Sequence, residues 1–359
     1  MSIFNVDADI RKAKTLASDF YTDEAYFSAS KELIFVRSWQ FAGTTSEVDN
    51  LRPLNLLEGV LDEPVLLSKN GGDITCISNV CTHRGKIVVE EPCSANLIRC
   101  GYHGRRFSLD GKFLSMPEFE NVEDFPSETD NLRAVPTGRW GDLLFASVDP
   151  LAAFDNYISD VASRIDIEKY SGAKLAATKS YEVDAHWALY CENYLEGFHI
   201  PFVHKSLNEV VDYGTYTTET FRYSSLQTAL SEPPAAASGL TAQSEPSNNV
   251  AAQYLFIFPN LMFNFYPWGI SVNVVRPRNA SSSTIEFLTY VLDETKIGSG
   301  AGADLDRVEL EDEAVVESVQ KGIRSRFYTH GRYSPTREQG THHFHRLICE
   351  FMRGEAAAA

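Results

Sequence analysis

Two short cysteine–histidine motifs constrain this chain more than any other feature of its sequence. One reads Cys-x-His at Cys81 and His83, and the other reads Cys-x-x-His at Cys100 and His103, with sixteen residues between the motifs. Thiolate sulfur and imidazole nitrogen are ligands of either a tetrahedral zinc ion or an iron–sulfur cluster. The chain is therefore expected to fold two of its loops around a metal.

The distribution of ligands between the motifs favours an iron–sulfur cluster. Structural zinc sites usually take a cysteine pair from one segment and a histidine pair from another, whereas each motif here offers one of each. That arrangement suits a [2Fe–2S] cluster in which one iron binds both thiolates and the other binds both imidazoles. Gly85 and Gly104 are expected to let the loops fold tightly, with N–H groups directed at sulfur.

The segment from Cys81 to Gly104 resembles a Rieske iron–sulfur domain. Respiratory members of that family carry an additional cysteine in each loop, and those positions are not cysteine here. The pattern is therefore similar to the oxygenase branch, which implies a second metal site elsewhere in the chain.

A second histidine pair, His199 and His204, lies about a hundred residues downstream. A gap of five residues turns an ideal helix by about 500°, so the two rings would not share a face. Pro201 lies between them and is expected to break the helix so that the rings converge. Taken alone, the pair is more typical of two ordinary core or surface histidines than of metal ligands.

Glu196 changes that balance, because it precedes His199 by three residues on the same side of a helix. The string ENYLEGFH from Glu192 to His199, followed by His204, resembles the mononuclear iron motif of Rieske non-heme iron oxygenases. The resemblance implies that both histidines bind Fe(II) together with a carboxylate from a helix near the C-terminus. Such a site keeps positions open for dioxygen and substrate.

Three adjacent residues, Glu311, Asp312 and Glu313, are candidates for that carboxylate. A stripe at helical spacing distinguishes them, and it consists of Val308, Asp312, Val315, Val316, Val319 and Ile323. Asp312 interrupts this expected buried face, whereas its two neighbours fall to either side and are expected to be solvated. Because a buried anion is costly unless it is paired or bound to metal, we predict that Asp312 is the third ligand.

Glu196 is predicted to act between the two metal centres rather than as a ligand. A metal-bound histidine normally donates its second N–H to an acceptor, and Glu196 is placed to receive that bond from His199. In the family that the chain resembles, such a carboxylate also meets a cluster histidine of a neighbouring subunit. The resemblance therefore implies a homotrimer in which Glu196 links His199 to His103 of the next chain.

The glutamate at this position also bears on the substrate. Many ring-hydroxylating members have aspartate where this chain has Glu196, and glutamate is similar to the branch that oxidises choline- or carnitine-like quaternary amines. The aromatic strand 256–268 is expected to line a pocket for a flat aromatic ring or to form a cation–π cage. Its candidate lining residues are Phe263, Phe265 and Trp268. The sequence leaves open the substrate and the choice between mono- and dioxygenation.

The periodicities predict an α+β chain. Short strand-like runs separated by glycine, proline and the Asp110-Gly111 step, a hairpin turn signal, fill residues 40–149 and predict an all-β domain, which the resemblance identifies as a Rieske [2Fe–2S] domain. Residues 1–39 and 150–354 mix helical and strand patterns, and the resemblance implies a helix-grip catalytic domain for them, with 355–359 as a tail. Residues 232–249 are rich in proline, serine and alanine and are expected to form a loop.

Composition disfavours several partners. A formal net charge of −17 repels nucleic-acid phosphates and anionic lipid heads, and no apolar run is long enough to span a bilayer. No secretory signal is visible, so a cytoplasmic protein is expected. No flavin- or nicotinamide-binding glycine motif is visible either, so electrons are expected from a separate NAD(P)H-dependent reductase or ferredoxin.

These features and the resemblance predict a terminal oxygenase component. Electrons would pass from the cluster to the mononuclear Fe(II), where O₂ is activated to hydroxylate, dihydroxylate or demethylate a small organic substrate. Two alternatives, a pure electron carrier and a zinc hydrolase, each leave one of the two motifs unexplained. Whether a beta subunit accompanies the chain stays open.

Overall fold

The computed structural model describes residues 5–204, 214, 216–230, 250–297 and 305–354. The chain divides into two compact units, Phe35–Asn156 and a larger one that combines Met1–Ile34 with Tyr157–Ala359. The expected loop at 232–249 and the expected tail at 355–359 lie outside the described residues. No helix in the described part of the chain is long and apolar enough to cross a membrane.

The smaller unit consists of short antiparallel strands, as its alternating apolar runs predict. The strands are β1 (Gln40–Thr44), β2 (Leu51–Leu56), β3 (Glu63–Asn70), β4 (Asp73–Ser78), β5 (Ile98–Arg99), β6 (Arg106–Phe107), β7 (Phe113–Ser115), β8 (Ala134–Val135), β9 (Thr137–Trp140) and β10 (Leu143–Ala146). They form three sheets in the orders β1-β10-β9, β2-β3-β4-β8 and β5-β6-β7. The predicted Asp110-Gly111 turn joins β6 to β7, with Gly111 at a φ of 84°.

Side-chain alternation along β3 separates two apolar cores in this unit. Val65 and Leu67 pack into one core, whereas Leu66 between them packs into the other. The second core also contains Cys81 and Cys100, the two cysteines of the opening motifs. The strand residue Leu66 and the two motif cysteines therefore share one apolar core, which holds both loops against the sheet that contains β3.

The larger unit is organised around one antiparallel sheet of seven strands. They are β11 (Lys174–Val183), β12 (Thr217–Thr220), β13 (Ser224–Leu230), β14 (Val250–Ile257), β15 (Leu261–Tyr266), β16 (Gly269–Asn279) and β17 (Ser282–Val291). Their order is β11-β17-β16-β15-β14-β13-β12. All six residues of the central strand β15 are buried, which shows that both faces of the sheet are covered there.

The described α-helices are α1 (Glu24–Ser30), α2 (Phe154–Ala162), α3 (Trp187–Tyr194), α4 (Ile200–Val203), α5 (Leu305–Ile323) and α6 (Gln339–Met352). Two helices of the larger unit, α3 and α6, contact the sheet, at β16 and β12. α3 contacts α5, α6 and β16. The structure thus has the predicted α+β class, with an all-β unit and a second unit of antiparallel sheet and helices.

The start of α3 is fixed by a buried histidine. The Nδ1 atom of His186 accepts a hydrogen bond from the backbone N–H of Ala188 at 3.3 Å, which satisfies one free donor of the first turn. Burial lowers the pKa of His186 to about 3. The ring is therefore neutral and can act as an acceptor at physiological pH.

Candidate metal centres and the cavity beside them

The two cysteine–histidine loops have the same backbone arrangement. The N–H of Gly85 donates to the carbonyl of Cys81 at 2.9 Å, and that of Gly104 donates to the carbonyl of Cys100 at 3.1 Å. Both glycines have positive φ, 69° and 75°, which a residue with a Cβ rarely adopts. The expected tight turns are present. The N–H groups of the two glycines donate to carbonyl oxygens, whereas the backbone N–H groups of His83 and Arg84 are directed at the Cys81 sulfur, where their hydrogen bonds oppose the rise in pKa that burial causes.

The four side chains predicted to hold a cluster form two pairs. Cys81 and Cys100 are buried, and burial, together with the neighbouring Cys100 thiol, raises the pKa of Cys81. The rings of His83 and His103 lie 4.8 Å apart between centroids. His103 is exposed and packs against Tyr102, which is 62% exposed. A thiol pair and an imidazole pair fit the ligand set of a [2Fe–2S] cluster with two kinds of iron.

The segment that carries the second histidine pair is not one continuous helix. α3 ends at Tyr194, and Gly197 lies in the connector that follows. Tyr216 packs so closely here that a Cβ on Gly197 would lie 2.8 Å from its ring. α4 then begins at Ile200 with Pro201 in its first turn, where the missing N–H costs little. The predicted break at Pro201 is therefore wrong, because the helix breaks before it and Pro201 lies in the first turn of the next helix.

His199 and His204 flank the short helix α4, and their ring centroids are 5.1 Å apart. The Nε2 atoms of His204 and His199 lie 2.9 Å and 3.5 Å from Oδ1 of Asp312. One ligand atom from each of the three residues lies within 4.8 Å of the other two. We call these residues the histidine–aspartate site. Two imidazoles and one carboxylate that converge in this way form the donor set of non-heme Fe(II) enzymes.

Asp312 reaches this site from α5, although the predicted apolar stripe on that helix is only partly correct. Val316 is buried as expected, but Val319 is 42% exposed. Glu309 and Gln320 are buried instead. Hydrogen bonds from α3 and from the residue that caps it satisfy both polar side chains, so hydrophobicity alone does not mark the buried face of α5.

A carboxylate holds the second nitrogen of each histidine. Nδ1 of His199 lies 2.8 Å from Oε1 of Glu196, and Nδ1 of His204 lies 2.9 Å from Oε2 of Glu311. Both Nε2 atoms are thereby turned toward Asp312, which is the arrangement that orients metal-bound histidines. Glu196 acts from the connector rather than from a helical face, and its other oxygen accepts the backbone N–H of His199 at 3.1 Å.

The sequence predicts that Glu311 and Glu313 are solvated, and the structure shows that both are only partly exposed. The side chain of Glu311 is only 27% exposed and also contacts Arg307 at 3.2 Å. One carboxylate oxygen of Glu313 is buried, and burial raises the pKa of this carboxyl group. Sequence reasoning missed the role of Glu311 because its partner His204 lies 107 residues away along the chain.

A cavity of about 120 Å³ opens beside the histidine–aspartate site. Its wall includes five tyrosines, Tyr190, Tyr194, Tyr216, Tyr254 and Tyr266. Polar side chains, among them Asn193, Gln227, Asn264, Asn273 and Glu309, complete it. Pockets for drug-sized ligands usually enclose roughly 300–1,000 Å³, so this cavity suits a small molecule.

The aromatic strand β15 contributes to this wall, but not with the predicted residues. Side chains alternate along a strand, and Asn264 and Tyr266 are the ones that line the cavity. Phe263 and Phe265 lie on the opposite face of the strand and are fully buried there. Trp268 stacks on Tyr266, with ring centroids 5.1 Å apart, and is not among the described lining residues.

Comparisons with known protein families agree with the two centres. Residues 38–126 match the Rieske [2Fe-2S] domain, and residues 172–354 match the ring hydroxylating alpha subunit (catalytic domain). The second match covers about half of the chain and contains the histidine–aspartate site. The first match contains both cysteine–histidine loops.

Individual relatives align over nearly the whole chain. This chain is 27% identical to chloroplastic choline monooxygenase of Arabidopsis thaliana, in an alignment that covers 96% of this chain and 84% of that protein. It is 28% identical to the carnitine monooxygenase oxygenase subunit of Escherichia coli K12, covering 97% and 96%. A solved quaternary ammonium Rieske monooxygenase, described with inter-subunit electron transfer, superposes with a TM-score of 0.75 at 24% identity, covering 97% of this chain and 100% of that one. At that identity the superposition supports the fold alone.

Proposed function

The chain belongs to the ring-hydroxylating alpha subunits of the Rieske oxygenases, and from that premise we propose that it is a terminal monooxygenase for a small quaternary amine. The Rieske domain indicates a [2Fe–2S] cluster, and the catalytic domain implies a mononuclear iron. The observation that carries the proposal is the opening of the histidine–aspartate site onto a cavity walled by tyrosines.

We assign the two metal groups to the two sets of side chains. The cluster ligands are Cys81, His83, Cys100 and His103 in the domain 40–149, and the iron ligands are His199, His204 and Asp312 in the domain formed by 1–39 and 150–354. When bound, the cluster supplies stored electrons and the mononuclear iron activates dioxygen. Glu196 and Glu311 keep both imidazoles oriented through their Nδ1 atoms. His204 is only 1% exposed, so bulk water is excluded from that side.

The proposed reaction is a hydroxylation of a C–H bond. One oxygen atom of O₂ enters the substrate as a hydroxyl group, and the other leaves as water after taking up two electrons and two protons. A separate NAD(P)H-dependent reductase, with or without a ferredoxin, provides these electrons. The supporting observation is that residues 38–126 match a Rieske [2Fe-2S] domain, which carries electrons, and residues 172–354 match an oxygenase catalytic domain, which consumes them.

Tyrosine rings favour a quaternary ammonium substrate over a flat aromatic one. The hydroxyl of Tyr194 donates to Oδ1 of Asn264 at 2.8 Å, and that of Tyr216 donates to Oε1 of Gln227 at 3.1 Å. Burial raises the pKa values of Tyr194 and Tyr216 well above the ordinary value for tyrosine, so both side chains are neutral. Because both hydroxyl groups are already hydrogen-bonded, the ring faces are the parts of these side chains that can contact a ligand. The face of a tyrosine ring attracts cations.

Glu196 is proposed to bridge the two centres of neighbouring subunits in a homotrimer, between His199 and the exposed His103 of the next chain. Its contact with Nδ1 of His199 supports one half of that bridge. We expect Glu196→Ala, loaded with excess iron to offset the weaker binding that loss of the Nδ1 partner of His199 brings, to keep both metals and the assembly, yet to reoxidise a reduced cluster far more slowly when substrate and O₂ are added. Normal single-turnover reoxidation with both metals loaded would rule the bridge out.

The function is tested by single turnover. Protein reduced with dithionite is mixed with O₂ and choline, L-carnitine, γ-butyrobetaine, or an aromatic acid such as benzoate. We expect a quaternary amine to accelerate reoxidation of the cluster and to yield an oxidised product. If benzoate gives product and no quaternary amine does, the proposed substrate class is wrong, although the oxygenase assignment stands.

A further inference from the structure

A buried arginine lies directly after the second cysteine–histidine loop. Arg105 follows Gly104 in the chain and is only 2% exposed. Its Nη2 atom donates to Oδ1 of Asp130 at 2.6 Å and to the backbone carbonyl of Asp130 at 3.1 Å. Removing a guanidinium from water is costly unless its charge is compensated, so the position of this pair next to a proposed metal site requires an explanation.

Asp130 joins the two cysteine–histidine loops. Its backbone carbonyl also accepts the hydroxyl of Thr82 at 2.8 Å, and Thr82 follows Cys81 in the first loop. In the second loop, the N–H of Cys100 donates to the carbonyl of Arg105 at 2.8 Å. Arg105 and Asp130 therefore connect positions beside both motif cysteines. We call Thr82, Arg105 and Asp130 the loop clamp.

The carboxylate of Asp130 is also held from its other side. Its Oδ2 atom accepts the backbone N–H of Ser127 at 2.7 Å and the hydroxyl of Ser127 at 3.1 Å. Burial acts to raise the pKa of Asp130, but hydrogen bonds from Ser127 and Arg105 outweigh it and lower the pKa. The carboxylate is therefore ionised at physiological pH, and the loop clamp contains one positive and one negative charge.

Aromatic rings surround the guanidinium and extend toward a proposed cluster ligand. The Cζ atom lies over three rings, at 4.9, 5.5 and 5.7 Å from the centroids of Phe113, Phe125 and Phe107. The ring of Phe125 contacts Phe119, with centroids 5.0 Å apart, and Phe119 meets the ring of His83 edge-on at 5.5 Å. Because apolar rings exclude water, charges in the loop clamp are screened less in this direction than they would be across solvent.

We propose that Arg105 and Asp130 are positioning residues of the cluster site and that their paired charges set its reduction potential. One-electron reduction by the separate reductase or ferredoxin adds a negative charge to the cluster. A nearby positive charge stabilises the reduced form, and a nearby negative charge stabilises the oxidised form. In the loop clamp these two effects oppose each other, while its hydrogen bonds hold the two loops at a fixed spacing. This inference rests on the proposed cluster site and is independent of the proposed substrate.

The reduction potential is measured by a redox titration of the full-length, metal-loaded protein, followed by EPR spectroscopy. We expect Arg105→Gln, which leaves the charge of Asp130 unpaired, to lower the potential. Asp130→Asn leaves the charge of Arg105 unpaired and should raise it. Each shift should correspond to about a tenfold change in the reduction equilibrium, or ~59 mV for one electron. A purely structural role gives no reason for shifts of opposite sign.

Three further variants complete the comparison of charges. The double variant, Arg105→Gln with Asp130→Asn, keeps hydrogen-bonding groups at both positions without a charge, so its potential should return to nearly that of the wild type. Arg105→Lys retains the positive charge and should also stay close to the wild type. Arg106→Gln is the matched control, because Arg106 is exposed on β6 and its charge is screened by solvent.

Thr82→Val tests the positioning role without changing any charge. It removes the hydroxyl that is bonded to the carbonyl of Asp130, so a chelator should remove the cluster about three- to tenfold faster. Thr82→Ser keeps a hydroxyl and should lose its cluster at the rate of the wild type, as followed by visible absorption. Equal rates in Thr82→Val and Thr82→Ser would refute the loop clamp as a positioning element.

Two outcomes would overturn the role of the paired charges. One is a shift of the same sign in Arg105→Gln and Asp130→Asn, and the other is a shift in both no larger than that of Arg106→Gln. If a single variant assembles no cluster, the double variant decides, because a cluster of nearly wild-type potential supports the charge pair and a missing cluster refutes it. A wild type without the EPR signal of a [2Fe–2S] cluster would instead refute the proposed cluster site.

Discussion

The two proposed metal centres of this chain are assembled in opposite ways. The proposed cluster ligands lie within the 24 residues from Cys81 to Gly104, in two loops with matching turns. The histidine–aspartate site joins α4 to α5, and 108 residues separate His204 from Asp312. The first centre is therefore specified by local spacing, whereas the second depends on how helices pack on the large sheet.

The two sites also differ in their exposure to solvent. His103 is exposed beside Tyr102, which suits exchange of electrons with a partner. His204 is 1% exposed, and the cavity beside it is walled by tyrosines, which suits oxygen chemistry protected from water. The cysteine–histidine loops are exposed and close together in sequence, whereas the histidine–aspartate site is buried and joins distant segments. The two sites should therefore respond differently to mutation.

The largest effect is expected at the buried centre. Asp312→Ala removes the carboxylate on which both histidines converge, so iron at that site and all turnover should be lost, while the visible absorption of the cluster remains. Glu313→Ala, one residue along the same helix, should keep iron and turnover. If Asp312→Ala kept full iron and activity, Glu311 would become the next candidate ligand.

A loop variant should give the reverse pattern. Cys100→Ser replaces one of two buried thiols, so the visible absorption of the cluster should disappear while the mononuclear iron is retained. Cys93→Ser is the control, because Cys93 is exposed and outside both motifs. Loss of both centres in Cys100→Ser would show that the two are not separable, contrary to this account.

A smaller effect is expected from the carboxylate behind His204. Glu311→Gln weakens the bond to Nδ1 without removing a ligand, so iron affinity should fall by about 10- to 100-fold. Competition with a chelator measures that affinity, and Glu313→Gln serves as the reference. Iron binding equal to the reference would mean that packing alone orients His204.

The smallest effect concerns the connector between α3 and α4. Gly197→Ala would press a methyl group against the ring of Tyr216, so the free energy of unfolding should fall by about 1–3 kcal/mol and choline binding should weaken modestly. Gly322→Ala is the control, since a Cβ there meets no atom within 4 Å. Equal stability of the two variants in urea denaturation would argue against this packing.

The same contrast explains what the sequence could predict. Both cysteine–histidine loops, the Asp110-Gly111 turn and the α+β class were predictable, because each depends on residues close together in the chain. The helical stripe pointed to Asp312, although Val319 is exposed and Glu309 is buried. A polar residue can be buried when a distant side chain such as Tyr190 supplies its hydrogen bond.

Residues of the cavity wall were least predictable. An aromatic strand has two faces, and no feature of its sequence tells which face meets the helices, so Phe263 and Phe265 were predicted in place of Asn264 and Tyr266. The pairing of Glu311 with His204 was equally hidden, since it joins separate segments. Such contacts are fixed by tertiary packing rather than by local pattern.

Metal content tests the central claim, two different iron centres in one chain, most directly. Iron and zinc per chain are measured by mass spectrometry in the wild type, Asp312→Ala and Cys100→Ser. We expect about three, two and one irons per chain respectively, with little zinc in any of them. One zinc per chain in place of the mononuclear iron, or three irons retained in Asp312→Ala, would contradict it.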